Sequence, residues 1–160
     1  MTDKVVTKDQ LMPLLAQARA QRKRIVFTNG CFDLMHVGHT RYLQAAKALG
    51  DLLVVGVNSD VSVKSLNKEP DRPIVPESQR SEVLAALGCI DYVVLFHESD
   101  PQSLIAAVQP DVLVKGGDWA VDRIVGRELV EGRGGVVKTI PLVPGVSTTA
   151  LIHRIRSTPA

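Results

Sequence analysis

Cysteine is scarce in this chain: Cys31 and Cys89 are the only two among 160 residues. Two thiols cannot build a disulfide framework, and their spacing matches no zinc pattern, so reduced cysteines in a cytosolic protein are expected. Charge of one sign is also missing. Lys and Arg outnumber Asp and Glu by 19 to 17, and no basic run is interleaved with aromatics. That balance gives no electrostatic case for nucleic-acid binding. No apolar run approaches the roughly 20 residues a membrane span needs. The polar start, Met1 to Lys8, does not have the form of a signal peptide. Internal repeats and low-complexity segments are absent. The length fits one compact domain over 1–160, with 1–23 a helical extension and 24–160 the core.

What is present is an alternation of strand and helix signals. Thr7 followed by Gln10 forms a capping-box pattern for a helix over 8–22, with Pro13 awkwardly inside it. Short apolar runs at 24–28, 51–57, 92–96, 112–115 and 135–140 read as strands. Between them, helices are expected over 37–49, 61–66, 77–87, 124–131 and 147–156, with 67–76 a proline-bearing loop. Asp100-Pro101 predicts an N-cap with proline in the first helical position of a helix ending near Val108. This order implies an α/β domain, a parallel sheet covered on both faces. Such sheets bind ligands beyond the carboxyl ends of their strands, where strand order reverses. The polar segments 29–39, 58–60, 115–119 and 144–149 should therefore converge on one edge.

Three of these segments carry chemistry. In the first, Asn29-Gly30 ends a strand and a helix starts near His36, so unpaired N–H groups and a partial positive charge await an anion. Gly30 permits a tight turn, and Gly38 removes a side chain where phosphate would approach. His36 and His39 share one face of the first turn and can both donate to phosphate oxygens. The competing readings are two solvent-facing histidines, or half of a metal site lacking its other ligands. In the second, Gly145-Val146-Ser147-Thr148-Thr149 precedes an apolar-periodic helix. One hydroxyl suffices as a cap, and three after a glycine suggest an anion cradle. In the third, Lys115-Gly116-Gly117-Asp118-Trp119 follows a strand. The glycines allow close backbone approach to a ligand, and Asp118 could take ribose hydroxyls or cap the next helix. Lys115 reads as a phosphate ligand or an exposed strand end, and Trp119 as stacking or packing.

Taken together, His36-x-Gly38-His39 after Asn29-Gly30-Cys31-Phe32-Asp33, with Gly145 to Thr149 about 110 residues later, resembles the cytidylyltransferase-like nucleotidyltransferase superfamily. Four stretches resemble its heptose 1-phosphate adenylyltransferase branch: FTNGCFD (27–33), VNSD (57–60), RPIVPESQR (72–80) and DVLVKGGD (111–118). The likeness runs from Gln21 onward, and in some relatives the domain is fused to a sugar kinase. It implies a single Rossmann-like doubly wound domain in the cytoplasm. The implied reaction is transfer of AMP from ATP to D-glycero-beta-D-manno-heptose 1-phosphate, releasing pyrophosphate and feeding lipopolysaccharide or another surface glycan.

The resemblance also implies roles. His36 and His39 would be catalytic. Asn29, Gly30, Cys31, Phe32, Gly38, Gly116, Gly117, Asp118, Gly145, Ser147, Thr148 and Thr149 would bind the nucleotide. Asp33, Asn58, Lys64, Arg80 and Lys115 are candidates for the sugar phosphate or triphosphate. Mg²⁺ is expected with ATP, held mainly by phosphates, and a homodimer or larger assembly is expected by analogy. Partners are then ATP and a sugar 1-phosphate, with no nucleic acid and no membrane. The glycerol-phosphate cytidylyltransferases carry an arginine three residues before the glycine of the last motif. Leu142 stands there, which counts against CTP. Two alternatives stand beside this reading: a cytidylyl- or adenylyltransferase for another sugar or polyol phosphate, and a non-catalytic nucleotide-binding module.

Overall fold

The computed structural model describes residues 3–159, so Met1, Thr2 and the start of the polar N-terminus lie outside the described residues. Five strands form one parallel sheet: β1 (Ile25–Gly30), β2 (Leu52–Asn58), β3 (Tyr92–Phe96), β4 (Val112–Gly116) and β5 (Val136–Ile140). Their order is β3-β2-β1-β4-β5. The chain works outward from β1 to one edge, then crosses back to the other side, so the reversal lies between β1 and β4. The helices are α1 (Lys8–Ala20), α2 (Val37–Lys47), α3 (Asp60–Ser65), α4 (Glu77–Ala85), α5 (Gln102–Val108), α6 (Arg127–Glu131) and α7 (Thr148–Ser157). This is the doubly wound α/β architecture expected from the sequence.

Side-chain alternation builds two cores. Ile25, Phe27, Val54, Phe96 and Leu113 point to one face, where Leu11 and Leu15 of α1 and Leu104, Ile105 and Val108 of α5 cover them. Val26, Leu53, Val55, Val57, Val93, Val112 and Val114 point to the other, beneath Leu43 and Ala46 of α2 and Leu84 of α4. Burial on both faces explains why these strands read as continuous apolar runs. Because α1 supplies fully buried leucines, it is built into the first core and is no loose extension. Its capping box forms as expected, with the Gln10 N–H donating to Thr7 and the Thr7 N–H to Gln10. The helix runs through Pro13 and stops at Ala20, short of the expected Arg22, which has a left-handed φ of 57°.

Two other expectations are corrected. The helix expected over 124–131 is shortened to α6, which starts at Arg127, and a 3₁₀ turn (Val121–Arg123) precedes it. Gly126 separates them with φ of 86°, and a Cβ there would lie 2.6 Å from Ile105. α5 starts one residue later than expected, with Pro101 as its N-cap, while the Asp100 carboxylate accepts from the Gln102 N–H.

The sheet opens where strand order reverses. β1 pairs with β2 along all six of its residues, from Ile25–Leu52 to Gly30–Val57. It pairs with β4 only at Val26–Val112 and Phe27–Leu113. Beyond that the Thr28 hydroxyl reaches the Val114 carbonyl at 3.0 Å, and the strands part. Gly56 of β2, beside Asn29 of β1, faces the first core: a Cβ there would meet Phe27 Cζ at 2.9 Å and Leu104 Cδ2 at 3.1 Å. Gly56→Ala should overpack this core by about 1–3 kcal/mol, lowering Tm by several degrees. An unchanged Tm would show that Phe27 and Leu104 yield freely.

Candidate functional site

A cavity of about 420 Å³ opens at the carboxyl end of the sheet, over the gap between β1 and β4. Asn29 to Asp33, His36, Gly38, His39, Lys115, Gly116, Asp118, Trp119, Leu142 and Ser147 to Thr149 line it. Three of the four converging segments therefore meet. The fourth does not line the cavity: Asn58 is buried, its side-chain amide donating to the Ser62 hydroxyl.

His36 is the N-cap of α2, its Nδ1 accepting the Gly38 N–H at 3.1 Å. A neutral ring used this way carries its proton on Nε2, so His36 has one donor left to offer. A Cβ on residue 38 would sit 2.9 Å from this ring, which is the steric reason for Gly38. The His39 ring stacks on His36 with centroids 3.9 Å apart, and Phe32 packs edge-on against it. Burial lowers the basicity of both rings. For His39 the pKa falls to about 4, with further contributions from His36, Arg72 and Lys68. Two stacked neutral imidazoles avoid the repulsion that two cations would suffer.

Across the cavity, Ser147 caps α7 by accepting the Ala150 N–H. The Thr148 hydroxyl donates to the Leu34 carbonyl at 3.1 Å. This bond spans 114 residues and holds the two helix N-termini over one space. The Thr149 hydroxyl has no protein partner among the described residues. Gly145, outside the lining, makes the preceding turn with φ of 72°. Asn29 Oδ1 and His39 Nδ1, on lining residues, are buried with no hydrogen-bond partner among the described residues. Such orphans are rare in native proteins and call for an explanation.

Lys115 lies half-buried, its Nζ 3.4 Å from the Asn29 carbonyl and 5.6 Å from the Trp119 ring centroid. Burial brings its pKa down to about 8, against partial support from Cys31 and Asp118. Gly116 lets the backbone lie beside Asp118 and Leu142, which a Cβ would touch at 2.9 and 3.1 Å. Gly117 is outside the lining and packs against Pro141. Tyr42 supports the floor through a 2.7 Å bond to Thr28, and burial raises its phenol to about 12.

The other basic candidates are placed elsewhere. Lys64 is exposed on α3, away from the lining. Arg80 is fully buried: it donates to the carbonyls of Val75, Cys31 and Asn58 and to the Asp60 carboxylate. It braces the backbone behind the site and has little donor capacity to spare. Asp33 lines the cavity, yet its carboxylate is taken by Arg72 Nε at 3.0 Å and by the N–H groups of Ile74 and Val75. Burial opposes ionisation there, but the Val75 and Ile74 N–H groups and Arg72 outweigh it and hold the carboxyl below its ordinary value. Two lining residues, Lys68 and Arg72, were not anticipated. The basic candidates Lys64 and Arg80 flank the 67–76 loop in the sequence, whereas these two sit within it, beyond α3.

Residues 27–158 match the cytidylyltransferase-like family. The chain belongs to that family. Among its relatives, "Bifunctional protein HldE" of Pelobacter propionicus is 54% identical over 152 residues, covering 95% of this chain and 31% of that protein. The protein of that name from Geobacter sulfurreducens is 53% identical with the same coverage. The chain thus spans about a third of the length of the curated relatives it matches. The crystal structure of a lipopolysaccharide core biosynthesis protein from Thermoplasma volcanium is 31% identical with a TM-score of 0.63, covering 76% of this chain and 97% of that one. A pantoate-beta-alanine ligase from Francisella tularensis, 14% identical with a TM-score of 0.60 over 95% of this chain and 76% of its own, shares the fold alone.

In this family member the depressed Lys115 fixes a pH dependence. The unfolded chain binds that proton more tightly, so stability rises with pH between about 8 and the unperturbed lysine value. Lys115→Met should therefore raise Tm at pH 7 by a few degrees. The gain should shrink as pH rises through that window. A variant no more stable at pH 7, measured by thermal melts, would show that the ammonium is well solvated.

Proposed function

We propose that this chain is an adenylyltransferase that moves AMP from ATP to D-glycero-beta-D-manno-heptose 1-phosphate, giving ADP-heptose and pyrophosphate for lipopolysaccharide or another surface glycan. One observation carries the reading. The α2 and α7 N-termini, with His36, His39 and Ser147 to Thr149, face one cavity and are joined by the Thr148–Leu34 bond. Its support comes from identity above 50% to proteins named HldE. Cytoplasmic location and assembly as a homodimer or larger follow as part of this proposal. Among the described residues no helix is long and apolar enough to cross a membrane.

A phosphate oxygen of the sugar phosphate attacks the α-phosphorus of ATP. The bond from that phosphorus to the bridging oxygen breaks, and the electron pair leaves on pyrophosphate. The acceptor is already largely a dianion near neutral pH, since a phosphate second pKa is about 6, so it needs no general base. Catalysis rests on positioning and on neutralising the departing charge. His36 and His39 donate to the triphosphate. The α7 N-terminus with Ser147, Thr148 and Thr149 takes the outer phosphates, and Lys115 supplies a cation. Asp118 faces ribose, and the backbone of Asn29 to Phe32, Gly116 and Gly117 lies along the nucleoside. Cys31 serves through its backbone, not as a nucleophile.

No group of three or more His, Cys, Asp or Glu side chains that could cage a metal exists among the described residues. Asp118 is a lining carboxylate that would assist a Mg²⁺ ion carried mainly on phosphate oxygens. When bound, the ion would neutralise phosphate charge.

Pyrophosphate release should be fastest with ATP and the heptose 1-phosphate, compared with CTP and with other sugar or polyol phosphates. A faster rate with CTP or another acceptor would transfer the assignment to that pair. No release with any pair would leave a nucleotide-binding module. His36→Ala and His39→Ala should each cut turnover about 10²-fold or more while moving Tm by only a few degrees. Near-normal turnover in either variant removes that histidine from the phosphate site.

A further inference from the structure

Arg72 is an arginine 8% exposed, with only its Nε committed to a side chain. Its Nη1 and Nη2 have no partner among the described residues, and the residue lines the cavity. These nitrogens are not among the fully buried unpartnered atoms, so they open to the cavity, where water or an anion can complete them. The idle donors cannot be explained by looseness. Asp33 fixes Nε, and Asp33 is itself held at 2.8–2.9 Å by the N–H groups of Ile74 and Val75. The Arg72 N–H also closes a turn onto the Glu69 carbonyl at 3.0 Å. The loop is tied outward too, with Glu69 against His153 and Asp71 bonded to Arg156, both on α7. Lys68, on the same loop, places its Nζ 3.4 Å from Cys31 Sγ.

The loop's place in the fold says which anion it meets. It follows β2 and α3, and so enters from the β2 side of β1. Gly116, Asp118, Trp119 and Leu142 enter from the β4 and β5 side, where the nucleoside lies in the reading above. The helix N-termini between them take the triphosphate. What remains is a second anion, the acceptor, which must be drawn against the repulsion of the first.

Resting on that reading of the reaction, we propose that the Arg72 guanidinium binds the phosphate of the acceptor sugar phosphate, and that Asp33 is its positioning residue. Anchored at Nε, the fork presents two parallel N–H donors, the geometry that suits a phosphate edge. Asp33 touches no substrate. Its work is to hold one edge of Arg72 and to pin the 72–75 backbone.

Steady-state kinetics and calorimetry on the whole chain test this. Arg72→Ala should raise KM for the sugar 1-phosphate about 30-fold or more, with KM for ATP changed less than about threefold. Arg72→Lys keeps charge but not the fork and should recover only part of the loss. Asp33→Asn should raise the same KM, and the double variant Asp33→Asn/Arg72→Ala should be no worse than Arg72→Ala. A rise confined to KM for ATP overturns the assignment, as does an unchanged KM for both substrates. A full Asp33→Asn effect persisting in the Arg72→Ala background reduces Asp33 to a structural role. If Asp33→Asn does not fold, the Arg72 variants decide the proposal alone. Titrating the sugar 1-phosphate into wild type and Arg72→Lys reads the contact without turnover. A wild type that binds the sugar phosphate but releases no pyrophosphate sinks the adenylyltransferase reading, whereas equal affinity in the two proteins sinks the Arg72 contact.

Discussion

The parting of β1 from β4 after two paired positions is the constraint on which the site depends. A parallel sheet normally satisfies its own backbone. Here β1 remains zipped to β2 to its last residue while its other edge is released at Thr28. The Thr28 hydroxyl bridges the start of the gap to Val114 and accepts support from Tyr42, so the opening is held at a fixed width. Everything that meets a ligand lies along that gap: Asn29 and Gly30 on one lip, Lys115 and Gly116 on the other, and the α2 N-terminus above. The strand-order reversal makes such a crevice available in principle, and the hydroxyl bridge at Thr28 sets where it starts.

A crevice with this lining concentrates positive potential. Two helix N-termini, Lys68, Arg72 and Lys115 meet one acid with free oxygens, Asp118. The protein limits the cost in three ways. It keeps His36 and His39 neutral, so they contribute donors without repelling the nearby cations. It buries Asp33 against Arg72 Nε, which offsets that charge locally while leaving Nη1 and Nη2 without a partner among the described residues. It also lowers the proton affinity of Lys115. A triphosphate in the cavity would reverse the balance, raising the basicity of the histidines and of Lys115 by attraction. Of the two unpartnered atoms, His39 Nδ1 can donate to an anion, whereas Asn29 Oδ1 only accepts and suits a hydroxyl or N–H donor of a ligand.

Much of this was legible in the sequence because it rests on local rules. The capping box at Thr7, the strand at 92–96 and the helix starting at Glu77 follow from neighbours within one turn or one pleat. Gly38 lines the cavity, where a Cβ would meet the His36 ring, while Gly145 stands outside the lining. What escaped depends on distance. Neither Gly126 nor Pro101 announces which turn it will make, since Ile105 decides the first and Asp100 competes for the second. Lys68 and Arg72 lie 10 and 14 residues past the end of β2, in a loop whose local sequence carries no sign of which surface it folds against.

Arg72 and Arg80 show where that limit lies. They belong to one short segment, RPIVPESQR, and nothing in their local sequence separates a ligand from a brace. Tertiary partners separate them. Arg80 meets three carbonyls and a carboxylate, which use up most of its donors and bind β1, β2 and α4 behind the cavity. Arg72 meets one carboxylate edge-on, through Nε alone, and that leaves its fork unspent. Donor bookkeeping, and not burial or charge, is therefore what assigns their roles. Both side chains are buried, and both touch an aspartate. Only the one with idle nitrogens facing the cavity can take part in recognition, and its companion makes that possible by keeping the Cys31 and Asn58 backbone in place.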